Sequence, residues 1–473
     1  MAAVTRREIL RTASLLGAYG AAPFAMNLLP FNALAASTTG YKALVCVFLF
    51  GGMDCHDTVL PFDDTSYNQY TALRRTLINE YNGLQGGSSR TQARLLALTP
   101  SNAANFGGRQ FALGEALAPL HQLFASGQAA IVGNVGPLIE PLNRTQWRNG
   151  GARAPDRLFS HNDQQSTWMA AAPEGARFGW GGRLADMAIA SRANTNASFT
   201  AVSVSGNTVY LNGQEATGFS LGLNGPASIR AIDRPGLYNS QALPGQIADL
   251  VQDAPNARVN LFERDVATIH RQSITLNRDL EAALAAQAPF TTVFPGSGLA
   301  QQLQAVARMI AARSTLGVSR QIYFVSTGGY DTHSSQAPTL TGLHTALAGA
   351  MRAFYDATVE LGVSNDVTAF TASDFGRTLA VNGDGTDHGW GAHHFVVGGA
   401  VNGNRILGDI PPPVIDHAQD SGSGRLIPNV SVEQFAASLA AWFGLTSSEI
   451  QAALPNIGNF SGPLDLFNAS SSV

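Results

Sequence analysis

The stretch Ala43–Phe50 reads ALVCVFLF and is followed at once by Gly51 and Gly52. An apolar run of this length without alternation is typical of a strand that is buried on both faces, as in a parallel sheet. Similar runs follow at 129–133, 322–326, 367–371 and 395–401. Between these runs, apolar residues recur at helical spacing, as in the segment 340–354. This alternation predicts an α/β fold, with a mostly parallel sheet and helices on both of its faces.

The middle of the chain has a different composition. Residues 194–225 are rich in Ser, Thr, Asn and Gly, and residues 257–287 form a long amphipathic helical pattern. We therefore expect 194–297 to be an insertion or cap within a single domain that spans 36–473.

Composition excludes several classes of protein. The chain has 473 residues, of which 45% are hydrophobic and 13% charged, so it is too apolar to be disordered. A net charge of −4 gives no field that would attract nucleic acid, so no nucleic-acid partner is expected. Two cysteines in a chain of this length exclude a disulfide scaffold.

The N-terminus has the features of an export signal. Arg6 and Arg7 precede a weakly apolar stretch, and Ala33-Leu34-Ala35 supplies a cleavage pattern. We interpret 1–35 as a cleaved twin-arginine signal, whose pathway exports folded proteins; a short helix with a chance arginine pair is the alternative. The mature protein is then expected in the periplasm or secreted, with no integral membrane span.

A six-residue pattern, G-G-x-D-x-H, occurs twice. The copies are GGMDCH at 51–56 and GGYDTH at 328–333. Each follows a predicted strand, at the edge where open α/β sheets bind ligands. In an extended segment, residues i and i+2 point to the same side, so Asp54 with His56, and Asp331 with His333, can face one ion. The alternative is a pair of glycine-rich turns with solvated polar residues.

Three further segments carry polar residues of the same types. Asp374 and Arg377 follow the strand predicted at 367–371, where the arginine can bind an oxyanion; a helix-capping Asp and a surface Arg are the alternative. Three histidines, His388, His393 and His394, lie within seven residues, which favours metal binding over a solvated loop.

The last of these segments is SHNDQQ at 160–165. Ser160 is more typical of a helix cap than of a nucleophile. His161 and Asp163 are consistent with either a structural or a functional role. Together, the Asp, His and Arg residues of the five segments suit a divalent ion, such as zinc, manganese, magnesium or calcium, and an anionic ester substrate.

These segments resemble, in this order, the domain of unknown function 1501 family, an exported bacterial family. The matching elements are the twin-arginine start, VFLFGGMD at 47–54, FSHNDQQ at 159–165, GGYDTH at 328–333, SDFGRT at 373–378 and GTDHG at 385–389. That family is similar to a branch of the alkaline phosphatase and sulfatase superfamily. The resemblance implies an alkaline-phosphatase-like α/β core and a metal-dependent site for phosphate or sulfate esters.

The resemblance also assigns metal ligands. Asp54 matches the first-strand ligand of the superfamily, whereas His56 stands where the family usually has an apolar residue. Asp331 and His333 match its D-x-x-x-H pair, although the spacing here is D-x-H. Asp374 matches the Asp of its Asp-His pair, with Phe375 in place of the His.

The remaining assignments concern the late ligand and the nucleophile. His388, or one of His393 and His394, matches the late His ligand. The superfamily's Ser/Thr nucleophile has no clear counterpart, and Thr58 and Ser160 are the candidates. Arg377 would neutralise charge on the anion.

Three functions are compatible with these residues. The first is an exported metal-dependent hydrolase of a phosphate or sulfate ester. The second is a non-catalytic periplasmic binding or assembly protein that retains the fold, as the position of Phe375 and the missing nucleophile indicate. The third is a metal-dependent oxidoreductase exported with its cofactor, although no flavin, haem or molybdopterin motif is present. An exported protein partner is compatible with the first two.

Overall fold

A computed structural model describes residues 39–84, 88–226, 236, 239–252 and 260–468. The predicted export signal at 1–35 lies outside these residues. The strands are β1 (Lys42–Leu49), β2 (Leu60–Pro61), β3 (Leu96–Ala97), β4 (Phe111–Leu113), β5 (Ala129–Gly136), β6 (Ala201–Ser203), β7 (Phe219–Ser220), β8 (Arg320–Thr327), β9 (Val367–Ser373), β10 (Arg377–Asn382), β11 (Gly385–His388), β12 (Ala392–Val397), β13 (Ile406–Gly408) and β14 (Val430–Ser431).

The described α-helices lie between and after these strands. They are α1 (Cys55–Thr58), α2 (Asp64–Leu73), α3 (Arg75–Gly83), α4 (Ala118–Ala125), α5 (Arg144–Asn149), α6 (His161–Ala170), α7 (Trp180–Ala190), α8 (Leu243–Gln252), α9 (Leu261–Ala285), α10 (Gly298–Ala311), α11 (Arg313–Leu316), α12 (Gln336–Glu360), α13 (Val432–Phe443) and α14 (Ser447–Ala453). None of the helices in the described ranges is both long and apolar enough to cross a bilayer.

The main sheet confirms the predicted α/β fold. Its strand order is β13-β5-β12-β9-β1-β8-β6-β7, and β14 also pairs with β5. The pairs β9-β1, β1-β8, β8-β6 and β6-β7 are parallel, whereas β12 runs antiparallel to both β5 and β9. The sheet is therefore mostly parallel with one reversed strand among those described.

The central strand β1 is buried on both faces, as its unbroken apolar sequence predicts. Val45 and Val47 belong to one apolar core, in which α10 and α12 cover the sheet. Cys46 and Phe48 belong to the core of the opposite face, which α7 and α13 cover. Alternate residues of one strand thus hold the two helical layers onto the sheet.

Parts of the segment 194–297, expected to be an insertion or cap, belong to the sheet. β6 pairs with β8 and β7 pairs with β6, so these two strands extend the sheet beyond β8. The helix expected at 257–287 is described from Leu261 as α9. The carboxyl ends of these parallel strands form one edge of the sheet, where the predicted polar segments begin.

Candidate functional site

Three neighbouring strands end at one edge of the sheet and deliver the predicted polar segments there. β1 lies between β8 and β9, and Leu49 is in register with both Thr327 and Ser373. The segments that follow the three strands therefore start side by side. The segments after β1 and β9 are in direct contact, because the amide of Gly51 donates to Oδ2 of Asp374 at 3.2 Å.

One carboxylate and two histidines converge at this edge. Asp331, His161 and His388 each place a ligand atom within 4.8 Å of the other two. Nε2 of His161 is 3.5 Å from Oδ2 of Asp331, and Nε2 of His388 is 3.3 Å from its Oδ1. The side chains are 44%, 30% and 24% exposed for Asp331, His161 and His388, so the cluster has an open face.

Both histidines of the cluster are oriented by a bond at their other nitrogen. Nδ1 of His161 lies 2.7 Å from Oδ2 of Asp374, and Nδ1 of His388 lies 2.8 Å from the carbonyl oxygen of Phe159. Each acceptor fixes the proton on Nδ1 and leaves the Nε2 lone pair toward Asp331. This is the arrangement that metal-ligating histidines adopt.

His333 forms the rim of the cluster. Its Nε2 is 2.8 Å from Nε2 of His388 and 3.1 Å from Oδ1 of Asp331, and its Nδ1 is 3.4 Å from a carboxylate oxygen of Asp387. The side chain is nearly half exposed. A third imidazole nitrogen, and so a fourth possible ligand atom, therefore lies next to Asp331 and His388.

Arg377 is buried and holds Asp331 in place. Its Nη1 donates to Oδ1 of Asp331 and to the Gly51 carbonyl, both at 3.0 Å. Nε donates to Oγ1 of Thr386 at 2.9 Å, and Nη2 donates to the Thr386 carbonyl. All three guanidinium nitrogens bond within the protein, so the arginine predicted to bind an anion is placed to orient the carboxylate.

The surroundings of the cluster shift the pKa values of its three members in different directions. The hydrogen bond from Asp374 raises the pKa of His161, against the effect of partial burial. Burial lowers the pKa of His388. For Asp331, burial favours the neutral form, but the hydrogen bond and charge of Arg377 outweigh it and lower the pKa. Asp331 is therefore ionised and His388 neutral near pH 7, as ligation requires.

Glycines let the backbone of the first G-G-x-D-x-H copy approach this cluster. Gly51 and Gly52 have φ of +118° and +92°. A Cβ on Gly51 would lie 2.3 Å from the amide nitrogen of Asp331, and one on Gly52 would lie 2.3 Å from the Phe375 ring. That ring contacts the His161 ring, with centroids 4.8 Å apart. The glycines thus position the second copy of the motif.

The Asp and His of the first copy lie elsewhere. Asp54 is fully buried, caps α1 through the amide of His56, and accepts from Nη2 of Arg74 at 2.6 Å. Nε2 of His56 bonds the Gly424 carbonyl at 3.0 Å, and burial lowers the pKa of His56 to about 3. The two copies are equivalent in sequence position but not in their contacts.

Asp54 nevertheless connects to the cluster through hydrogen bonds. Nε2 of Gln336, the first residue of α12, donates to Oδ2 of Asp54 at 2.6 Å. Oε1 of Gln336 accepts from Oγ1 of Thr386 at 2.7 Å, and the same Oγ1 accepts from Arg377. The direction of each bond is determined, because a carboxylate can only accept and the threonine hydroxyl has one proton.

The other predicted residues take structural bonds. Nδ1 of His393 accepts from the Asn134 amide at 2.9 Å, and burial lowers the pKa of His393 to about 3. Oγ1 of Thr58 donates to the Asp54 carbonyl at 2.7 Å. Oγ of Ser160 donates to Oδ2 of Asp163 at 2.9 Å. None of these side chains belongs to the three-residue cluster found among the described residues.

Three contributors to this edge are not assigned by the sequence. The sequence leaves His161 open between a structural and a functional role, and the structure makes it a member of the cluster. Gln165, four residues later on α6, also donates to Oδ2 of Asp374, at 2.8 Å. The i, i+4 spacing of His161 and Gln165 was the available signal. Gln336 carries no signal of its own in the sequence.

Comparison with known proteins identifies the family. The model described as "Protein of unknown function (DUF1501)" matches residues 41–453, so the chain belongs to that family. No curated protein matches the chain. Among solved structures, that of Ps i-CgsB in complex with k-i-k-neocarrahexaose is similar at 10% identity, over 89% of this chain and 77% of the other, with a TM-score of 0.34. A likeness this distant carries no functional argument.

Proposed function

We propose that this member of the DUF1501 family is an exported, metal-dependent hydrolase of the alkaline phosphatase and sulfatase type, acting on a phosphate or sulfate ester. The observation that carries the proposal is the convergence of His161, Asp331 and His388 at the carboxyl edge of the sheet. Two imidazoles and one carboxylate with an open face are a donor set that catalytic zinc sites use.

The bonds around the cluster fit an ion. His161 and His388 both have Nδ1 committed to an acceptor, so the neutral form of each ring has its Nε2 lone pair available to a metal ion. Asp331 is held ionised by Arg377. When bound, a divalent ion would polarise the P–O or S–O bond and lower the pKa of a water molecule at the open face.

The protein's own residues would orient the reacting groups. Arg377 fixes Asp331 and, with it, the position of the ligands. His333 is exposed at the rim, with Nε2 near both Asp331 and His388, and is placed to donate a hydrogen bond to an anionic substrate oxygen or to move a proton. We expect water to be the nucleophile, because the Thr58 side chain is fully buried and the Ser160 hydroxyl bonds Asp163 rather than a residue of the cluster.

Elemental analysis of the natively exported protein tests this proposal. We expect a stoichiometric divalent ion, lost in His161→Ala and in His388→Ala and retained in His270→Ala, which changes an exposed histidine on α9. The same preparations are assayed on phosphate and sulfate esters. A wild-type protein without an ion, or one whose ion survives both cluster substitutions, contradicts the proposal.

A second candidate is a binding or assembly protein that holds the ion without turnover. The side chain of Arg377 favours it, because this guanidinium is fully buried and each of its nitrogens already bonds within the protein. A bound ion with no hydrolysis of any ester would select this candidate. Iron is included among the ions analysed, because two histidines and one carboxylate also bind iron(II) in oxygenases.

A further inference from the structure

A cavity of about 340 Å³ is lined by Asn162 and Gln165 of α6, the helix that begins at His161. It shares Gln165 with the site, since this residue lines the cavity and also donates to Asp374. Phe50 and Ser205, which follow β1 and β6, line it as well, so the cavity opens at the carboxyl ends of the parallel strands. Its volume falls in the range of small-molecule sites.

The lining contains almost no charge. Glu174 is the one ionisable residue among the described residues that line the cavity, and no Lys, Arg or His is among them. A second anionic group of a substrate would therefore meet no compensating cation and one exposed carboxylate. The lining disfavours nucleotides and other substrates with several phosphates.

The uncharged lining offers both hydrogen bonds and apolar contact. The side chains of Asn162 and Asn207 are exposed, and each amide provides donors and an acceptor. Phe50, Met169 and Phe324 contribute apolar surface. A group that carries hydroxyls along one side and C–H bonds along another satisfies both kinds of surface, because hydroxyls donate and accept whereas C–H bonds need only contact.

We propose that this cavity binds an uncharged polyhydroxyl group, a sugar or polyol unit, as the part of the substrate that carries the phosphate or sulfate ester. The inference rests on the proposed function for the position of the ester. The binding of the uncharged group depends only on the cavity and can be measured without turnover.

A matched pair of substrates tests the charge preference. Hexose 6-phosphate and hexose 1,6-bisphosphate differ only in the second anion, and we expect wild-type kcat/KM to favour the monophosphate by about tenfold or more. Asn207→Lys adds a cation to the lining and should reduce that ratio several-fold, whereas Asn68→Lys, an exposed control on α2, should leave it unchanged. A wild-type ratio at or below one, or an equal effect of both lysines, overturns the proposal.

A binding measurement separates failure of this proposal from failure of the proposed function. Methyl glucoside, which carries no ester, is titrated into the metal-free full chain while the side-chain amide NMR signals of Asn162 and Asn207 are followed. We expect saturable shifts at millimolar concentrations that Asn207→Leu weakens. If no ester is hydrolysed but these shifts occur, the cavity assignment holds and the hydrolase fails; if hydrolysis occurs and neither amide shifts, the cavity assignment is overturned.

Discussion

Asp374 controls the protonation of His161. Its Oδ2 lies 2.7 Å from Nδ1, and this bond raises the pKa of the imidazole above its ordinary value of 6.5. Asp374→Asn removes the negative charge that stabilises the imidazolium, so the pKa of His161 should fall. Imidazole NMR titration of the metal-free protein measures it. Asp387→Asn, next to His333, is the control; an unchanged or raised pKa of His161 in Asp374→Asn would contradict the expectation.

Gln336 fixes the orientation of Arg377 through Thr386. Gln336→Leu removes the acceptor of the Thr386 hydroxyl proton, which frees that hydroxyl to turn away from Nε of Arg377. Loss of a partner bonded directly to a ligand typically lowers metal affinity by about 10- to 100-fold, and Gln336 acts on Asp331 through Thr386 and Arg377, so we expect a smaller loss, of about several-fold. Titration of the metal-depleted protein with zinc or manganese measures it.

The control for Gln336→Leu is a buried glutamine far from the site. Gln321 lies at the start of β8, at the opposite edge of the sheet, and is fully buried. Gln321→Leu should destabilise the protein and leave the affinity for the ion unchanged. Equal affinities of the two variants would show that the Gln336 bonds do not act on the cluster.

The two Asp residues of the repeated motif show where sequence reasoning ends. Asp54 and Asp331 occupy the same position in the G-G-x-D-x-H pattern and the same place after a strand, so the sequence predicts both as ligands. Asp54 meets Arg74 in the interior, whereas Asp331 meets Arg377 at an open edge. Arg74 lies 20 residues from Asp54 in the sequence, and Arg377 lies 46 residues from Asp331. The local sequence around each Asp does not indicate which arginine it will pair with.

The turn after β1 is the element on which the cluster depends most. Gly52 has a φ of +92°, and an added Cβ would lie 2.3 Å from the Phe375 ring that packs on His161. Gly52→Ala should therefore lower the free energy of unfolding by about 2 kcal/mol or more. Urea denaturation measures the loss.

Gly328, in the other copy of the motif, provides the matched control. A Cβ there meets nothing within 4 Å, and its φ is not in the left-handed region. Gly328→Ala should change the free energy of unfolding by about 0.5 kcal/mol or less. Similar losses of unfolding free energy in Gly52→Ala and Gly328→Ala would contradict this expectation. They would show that the turn after β1 has no special need for glycine at position 52.

Elements were more predictable than contacts. Unbroken apolar runs identified β1, β8 and β9, because a strand buried on both faces needs apolar residues at every position. The hairpin of β10 and β11 was not predicted, although it carries Arg377 and His388. Its polar, glycine-interrupted sequence lacks the alternation that marks a half-buried strand, and Gly385 of the hairpin lies directly against the backbone of residues 332–333.

The alternation of strands and helices along the sequence predicts the fold class. It does not predict the order of the strands within the sheet. Parallel pairing of β1 with both β8 and β9 joins segments more than 270 residues apart, and the reversed direction of β12 has no local signature. The site combines residues from four separate segments, at 159–165, 328–333, 373–378 and 385–389. The clustered polar residues of the sequence predict most of the residue types in the site. Which of those residues come together depends on the long-range pairing of the strands.

The ion should stabilise the whole chain in a manner that depends on pH. When the concentration of free ion is 100 times its Kd, binding adds about 2.7 kcal/mol to the free energy of unfolding, provided that the unfolded chain does not bind the ion. Binding requires neutral imidazoles, and His161, with its raised pKa, is protonated first as pH falls, whereas His388, with its lowered pKa, stays neutral longer. The increase in Tm with zinc or manganese should therefore be full at mildly alkaline pH and decline as pH falls through the pKa of His161.

The metal-free protein has the opposite dependence at this residue. A folded-state pKa above 6.5 means that protonated His161 stabilises the fold below the unfolded pKa, and that this contribution is lost as pH rises through the folded pKa. Protonation of His161 and loss of the ion are thus one linked equilibrium, and the Tm difference shrinks as pH falls. In Asp374→Asn the decline should move to lower pH, together with the pKa of His161. Paired melting curves with and without the ion across pH 5–9 measure the shift; a Tm gain that is constant over this range, or that persists in His161→Ala, would show that His161 does not hold the ion.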